Sequence, residues 1–180
     1  YMEIVNKLEK IIEKYNLSNT YKNGYDFYGE NSSSGLGKYN KQYYLNLRND
    51  YNHMEDSHEK DFMLLTLVIY AFNHQIRFNS NGEYNVPVGK RDFNSSIRKN
   101  LLEFCSKLVV KNISFINTDY KKFNLDSLTG NDFCYFDPPY YLGDASYNEN
   151  DGWNEKKEKE LLEYLNEEND YLDHGAGDGP

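Results

Sequence analysis

Asp137-Pro138-Pro139-Tyr140 is the stretch of this sequence best equipped for chemistry on an amino group. An ionised Asp137 only accepts hydrogen bonds, and the Pro138 carbonyl is a second acceptor whose direction is held by the ring of Pro139. Two converging acceptors suit an NH2 group. Tyr140 adds a flat face for a planar heterocycle, and Tyr141 offers another. The same residue types also describe a proline turn closing a core strand, and four residues alone do not choose between the two.

A second group of residues suits contact with DNA. Asn73-His74-Gln75-Ile76-Arg77-Phe78-Asn79 is followed by Gly82-Glu83-Tyr84-Asn85-Val86-Pro87-Val88-Gly89-Lys90, with Ser80-Asn81-Gly82 as a turn signal between two short stretches. This predicts a hairpin over Gln75 to Lys90, with Pro87 restricting its second stretch to an edge. The guanidinium fork of Arg77 matches the N7 and O6 acceptors of guanine, while an Arg paired to a surface carboxylate is the plainer alternative.

Taken together, the two blocks resemble the S-adenosylmethionine-dependent DNA adenine-N6 methyltransferases of the Dam-like group. The resemblance covers residues 1 to 168 and is most specific in these two blocks. It implies that Asp137, Pro138, Pro139 and Tyr140 form the catalytic loop, and that Asp119, Tyr120 and Asp137 bind S-adenosylmethionine. It further implies that Arg77 and Pro87 lie against bases, together with Gln75 and Asn79. Lys90 and Arg91 are then expected on phosphates. The implied partner is double-stranded DNA, with GATC as the recognition sequence and a cognate restriction endonuclease as a genetic partner. Two alternatives stay open: a non-catalytic DNA-binding fragment without the cofactor site, and an RNA or protein amino-group methylase.

The elements that must position these residues can be read from periodicity and capping. Met2 to Tyr15 has helical spacing of Ile4, Val5, Leu8, Ile11 and Ile12. Lys41 to Tyr51 predicts a second helix, and a third runs from His58 to Asn73, capped by Asp56 or Ser57. Another begins at Asn94 or Ser95 and runs to Leu108. Ile113 to Ile116 and Phe133 to Phe136 read as strands, which would put Asp119, Tyr120 and Asp137 at the carboxyl edge of a parallel sheet, where ligands bind. Asp144 to Gly152 suits a flap, and Asn154 caps a helix from Glu155 to Asn166. The expected fold is therefore α/β: a partial Rossmann-like methyltransferase sheet with a helical DNA-recognition lobe. Its expected domains are a lobe over residues 1–110, holding the recognition segment at 73–91, and a catalytic portion over 111–180.

Charge is unevenly distributed along the chain. The 180 residues carry a net −9, but residues 77–122 hold nine Lys/Arg against four Asp/Glu, whereas residues 123–180 hold three against fifteen. A phosphate-facing surface needs local positive charge rather than a basic total. Cys105 and Cys134 have no metal-ligand spacing and read as buried reduced thiols, and His53, His58 and His74 read as surface residues, so no metal is implied. The longest apolar run, Met63 to Phe72, is too short to span a bilayer, which predicts a cytoplasmic protein with no membrane partner. The family's glycine-rich cofactor loop has no clear counterpart before the helical lobe. Gly175-Ala176-Gly177-Asp178-Gly179 resembles one only superficially, and the chain is expected to be incomplete, either a fragment or a degenerate relative.

Overall fold

Val5, Leu8, Ile11 and Ile12 recur at helical spacing and form the buried side of the first helix, α1 (Met2–Lys14). A computed structural model describes residues 1–29, 35–125, 128, 129, 131–138 and 153–174, with side chains in the last stretch described up to residue 166. The described chain divides into two units, Tyr1–Ile113 and Ser114–Pro180.

In the first unit, a one-turn helix, α2 (Thr20–Asn23), follows α1, and α3 (Gly37–His53) buries Asn40, Tyr44, Leu47 and Tyr51 along one stripe. Ser57 caps α4 (His58–Tyr70) by accepting from Lys60 N at 3.2 Å. α4 packs against both α1 and α3, so Met63, Leu67 and Tyr70 are fully enclosed. Each such side chain contributes about 1.5–3 kcal/mol of burial. A further helix, α5 (Ser95–Val110), begins at Asn94, whose side chain accepts from Ser96 N and Ile97 N.

The predicted helix from His58 to Asn73 ends three residues early. Ala71 turns extended (φ −73°, ψ 157°), and Asn73 and His74 take left-handed conformations (φ 52° and 54°). Asn and His are among the residues that tolerate that region best. The end of α4 instead becomes one side of an irregular hairpin. Phe72 N donates to Pro87 O at 2.9 Å and Gly89 N to Tyr70 O at 2.7 Å, flanking an antiparallel bridge between Ala71 and Val88. The two backbones meet so closely that a Cβ on Gly89 would lie 2.7 Å from Ala71 C and 3.0 Å from Phe72 N.

Ser18 and Asn19, in the loop before α2, are buried, and polar groups of residues 18–20 are hydrogen-bonded. Ser18 N donates to Asn40 Oδ1 at 2.8 Å, Asn19 N to the Tyr28 hydroxyl at 2.7 Å, and Thr20 N and Oγ1 to the Asp92 carboxylate at 2.6 and 2.8 Å. Tyr70 OH reaches Ser18 O at 2.5 Å. Burial pushes the Asp92 carboxyl above its ordinary pKa, and the bonds from Thr20 and Ser18 oppose that shift. Nearby, Arg98 stacks between Phe93 and Tyr21, its Cζ 4.2 Å from each ring centre. Its Nη2 bonds Glu9 Oε1 at 2.7 Å, while Lys22 takes the other Glu9 oxygen at 2.8 Å.

In the second unit, Asp119 caps a 3-10 turn, Tyr120–Lys122, by accepting from Lys121 N at 3.0 Å. The following helix, α6 (Glu155–His174), is capped by Asn154. Tyr164 of α6 donates to Phe123 O at 2.9 Å, its ring meets Tyr120 edge-on, and Lys121 pairs with Glu160.

The expected Rossmann-like sheet is not found among the described residues, whose β-type pairing amounts to two isolated antiparallel bridges of the hairpin. Ile113 to Ile116 and Phe133 to Phe136 form no regular element and no ladder, with Phe115 77% and Phe133 88% exposed. A parallel strand needs paired neighbours and cover on both faces, and neither run has such neighbours among the described residues. For the same reason Cys134 is exposed rather than buried, and Cys105 is partly buried. The predicted flap over Asp144 to Gly152 and the glycine-rich tail lie outside the described residues.

Two measurements probe this packing. Gly89→Ala should lower stability by on the order of 2 kcal/mol in urea unfolding, because the added methyl meets backbone rather than a movable side chain. A loss within a few tenths of a kcal/mol would contradict the close approach. For Glu9, burial alone would raise the pKa, but bonds from Lys22 and Arg98 outweigh it and hold the carboxyl below its ordinary 4.5. A carboxyl depressed on folding stabilises fully above its unfolded pKa, and that stabilisation drains away as pH falls through the folded value. Wild-type protein should therefore lose more stability than Glu9→Gln between about pH 5 and about pH 3.

Candidate nucleic-acid interface

The hairpin from Ala71 to Gly89 lacks a continuous ladder and is held in place by side chains of α3. Tyr44, Arg48 and Asn52 stand four residues apart on that helix and therefore share a face. Tyr44 OH and Arg48 Nη1 both donate to Val86 O at 3.1 Å. Asn52 Nδ2 donates to Tyr84 O at 3.1 Å while Asn52 Oδ1 accepts from Tyr84 N at 2.9 Å. One side-chain amide thus does for Tyr84 what a neighbouring strand would do. Burial, with the neighbouring Tyr84, pushes the Tyr44 hydroxyl pKa well up.

Val86 and Tyr84 are fully buried on this side, and Phe78 meets Tyr84 edge-on across the hairpin at 5.7 Å. Arg77, the predicted base reader, is half-buried and tied to the opposite arm. Its Nε donates to Asn85 Oδ1 at 2.7 Å and its Nη2 to Asn85 O at 3.3 Å, while Asn85 N donates to Arg77 O at 3.2 Å. These bonds use the Nε side of the fork, so a two-point contact to a base must come from its Nη1–Nη2 end. Asn79 shapes the tip: its Oδ1 accepts from Asn81 N and Glu83 N at 3.0 and 2.9 Å, and its Nδ2 donates to Glu83 Oε2 at 2.8 Å. Gly82 follows at φ 77°, a backbone state that glycine adopts freely.

Gln75 is half-buried beside this arm, and its carbonyl accepts from Tyr84 OH at 2.9 Å. Pro87 is exposed on the other arm. The structure therefore brings Gln75, Arg77, Asn79 and Pro87 together on one hairpin. Lys90 and Arg91 follow it and are exposed. Arg91 lines an open cleft of about 740 Å³ with His74, Asn94, Ser96 and Asn100, and joins Lys90 along a neighbouring cleft of about 430 Å³.

The expected cofactor and catalytic residues belong to the second unit. Asp119 is exposed and engaged as the cap described above, and Tyr120 is half-buried. Asp137 is exposed and Pro138 half-buried, whereas Pro139 and Tyr140 lie outside the described residues. Among the described residues, no group of three or more His, Cys, Asp or Glu could hold a metal ion, and no helix is long and apolar enough to cross a membrane. His53, His58 and His74 are exposed, as the sequence suggested.

Sequence reasoning missed the residues that support the hairpin: Tyr44, Arg48, Asn52 and Asn85. Tyr44 and Arg48 left a trace in their four-residue spacing on the predicted helix Lys41 to Tyr51, and Asn52 continues that spacing one residue beyond it. Asn85 left none, because its partner is set only when the two arms meet.

The chain resembles known proteins along most of its length. Residues 6–174 match the model of the D12 class N6 adenine-specific DNA methyltransferase family. The chain is 38% identical over 137 residues to the type II methyltransferase M.FokI of Planomicrobium okeanokoites, an alignment covering 73% of this chain and 21% of that protein. It is 35% identical over 148 residues to the modification methylase StsI of Streptococcus sanguinis, covering 78% and 21% respectively. A match to the modification methylase LlaI of Lactococcus lactis subsp. lactis is 28% identical over 169 residues and covers 92% of this chain and 23% of that protein. The chain thus spans about a fifth of the length of these relatives. With nearly its whole described length inside the family match, the chain belongs to the D12 class N6 adenine-specific DNA methyltransferase family.

Proposed function

We propose that this chain carries the DNA-recognition and catalytic-loop portion of a DNA adenine-N6 methyltransferase acting on duplex DNA. The observation that supports this reading most is the braced hairpin, which presents Arg77 on a fixed support beside the exposed cations Lys90 and Arg91. Phosphate contacts from Lys90 and Arg91 would set position without regard to sequence, while the free end of the Arg77 fork reads a guanine edge. Pro87, Gln75 and Asn79 lie against the neighbouring bases. GATC is the recognition sequence proposed, and a cognate restriction endonuclease the genetic partner, in the cytoplasm.

An adenine inside a duplex cannot reach a protein pocket, so it is flipped out at a cost of a few kcal/mol. The Asp137 carboxylate and the Pro138 carbonyl accept its two N6 hydrogens, and Tyr140 supplies the stacking face. Holding both hydrogens directs the nitrogen lone pair toward the methyl group, and the carboxylate stabilises the positive charge that grows on N6. S-adenosylmethionine, when bound, supplies that methyl group. The residues present fit it in kind, since Asp119 is an exposed carboxylate that can accept from an amino group and Tyr120 is a half-buried aromatic ring beside it.

If Arg77 reads guanine, Arg77→Ala should cost about 1–3 kcal/mol at its preferred site and relax preference at one base pair, whereas Lys90→Ala should weaken every sequence alike. Anisotropy titrations against single-base variants of a duplex would show this, and a uniform loss with Arg77→Ala would remove it as the reader. A radiolabel assay with S-adenosylmethionine should place methyl on adenine N6 and lose it in Asp137→Ala. Duplex binding without transfer would assign this chain recognition alone.

A further inference from the structure

Arg77 is long and flexible on its own, yet here its guanidinium is fixed at one edge by a single residue on the opposite arm. Asn85 accepts from Arg77 Nε at 2.7 Å through its side chain and from Nη2 at 3.3 Å through its backbone carbonyl. The same two residues are joined by Asn85 N to Arg77 O at 3.2 Å, so hairpin pairing itself sets the distance over which the side chains meet. The carbonyl bond survives truncation of the Asn85 side chain, but the Nε bond does not, and one bond to one nitrogen leaves the plane of the fork free to turn. Two-point reading of a base requires that plane to be set before contact.

Resting on the reading of Arg77 given above, we propose that the Asn85 side chain is a positioning residue that sets the plane of Arg77 and so determines discrimination at the base pair Arg77 contacts. Asn85 need not touch the base. Its acceptor oxygen carries the effect, which distinguishes it from Lys90 and Arg91, whose contribution is charge. Asn85 itself is held on a firm support, since the residues on either side, Tyr84 and Val86, are buried and bonded to α3.

The test is selection of bound duplexes from a randomised pool, followed by titration of the preferred duplex, using the whole 180-residue chain. Wild type, Arg77→Ala, Asn85→Ala, Asn85→Asp and the double alanine variant are compared at two salt concentrations. Asn85→Ala should lose about ten-fold in preference at the same base pair that Arg77→Ala relaxes, with little change elsewhere. The double variant should discriminate no worse than Arg77→Ala alone. Asn85→Asp keeps the acceptor and adds a negative charge, so it should retain the preference at that base pair while binding all duplexes more weakly, most of all at low salt. This variant also serves if Asn85→Ala does not fold.

A uniform loss of affinity in Asn85→Ala with preference intact, or lost preference in Asn85→Asp, would overturn the positioning role while leaving Arg77 as reader. Unchanged preference in Arg77→Ala would instead sink the reading on which the proposal rests, and the proposal with it.

Discussion

The hairpin's placement depends on the contact between Gly89 and the backbone of Ala71 and Phe72. Because residue 89 has no side chain, Gly89 N can reach Tyr70 O and the returning arm can lie directly on the last turn of α4. This sets the junction between the buried last turns of α4 and the hairpin. Tyr70, at that junction, is also bonded to Ser18, so the hairpin root, α4 and the loop at 18–20 share one anchorage. A side chain at position 89 would push the returning arm away from all three.

Further along the hairpin, support passes from backbone to side chains. An arm with no neighbouring strand leaves N–H and C=O groups unpaired, and burying them unpaired costs about 1–3 kcal/mol each. Asn52 answers both groups of Tyr84, while Tyr44 and Arg48 converge on Val86 O. Tyr84 and Val86 can then be buried without a sheet beside them, and the alternate residues Glu83, Asn85 and Pro87 remain accessible to varying degrees.

The sequence made the helices and the hairpin legible because their signals are local. Apolar spacing marked α1, α4 and α5, Ser57 and Asn94 stood where caps belong, and Ser80-Asn81-Gly82 marked the tip. The end of α4 was misjudged because Phe72 to His74 continue its apolar and polar pattern, while the force that stops the helix at Tyr70 comes from Gly89, distant in sequence. The strands at Ile113 to Ile116 and Phe133 to Phe136 failed as expectations for a related reason. A four-residue apolar run has the composition of a buried strand, but partners make it one, and none lies beside either run among the described residues. Motif resemblance picked out the hairpin residues as a group, whereas the Arg77–Asn85 pair and the α3 clamp belong to tertiary geometry.

The tip of the hairpin has a consequence for how such a segment can change over generations. Asn79 closes residues 79–83 on themselves through bonds to Asn81, Gly82 and Glu83, and Ser80, Asn81 and Gly82 are exposed. The stem, by contrast, is fastened from Arg77 downward and from Tyr84 onward by independent contacts. The finger and its mounting are therefore separable. Mutation can lengthen, shorten or rewrite the finger while the mounting keeps its direction, so descendants of one scaffold can present different fingers without rebuilding the body that holds them.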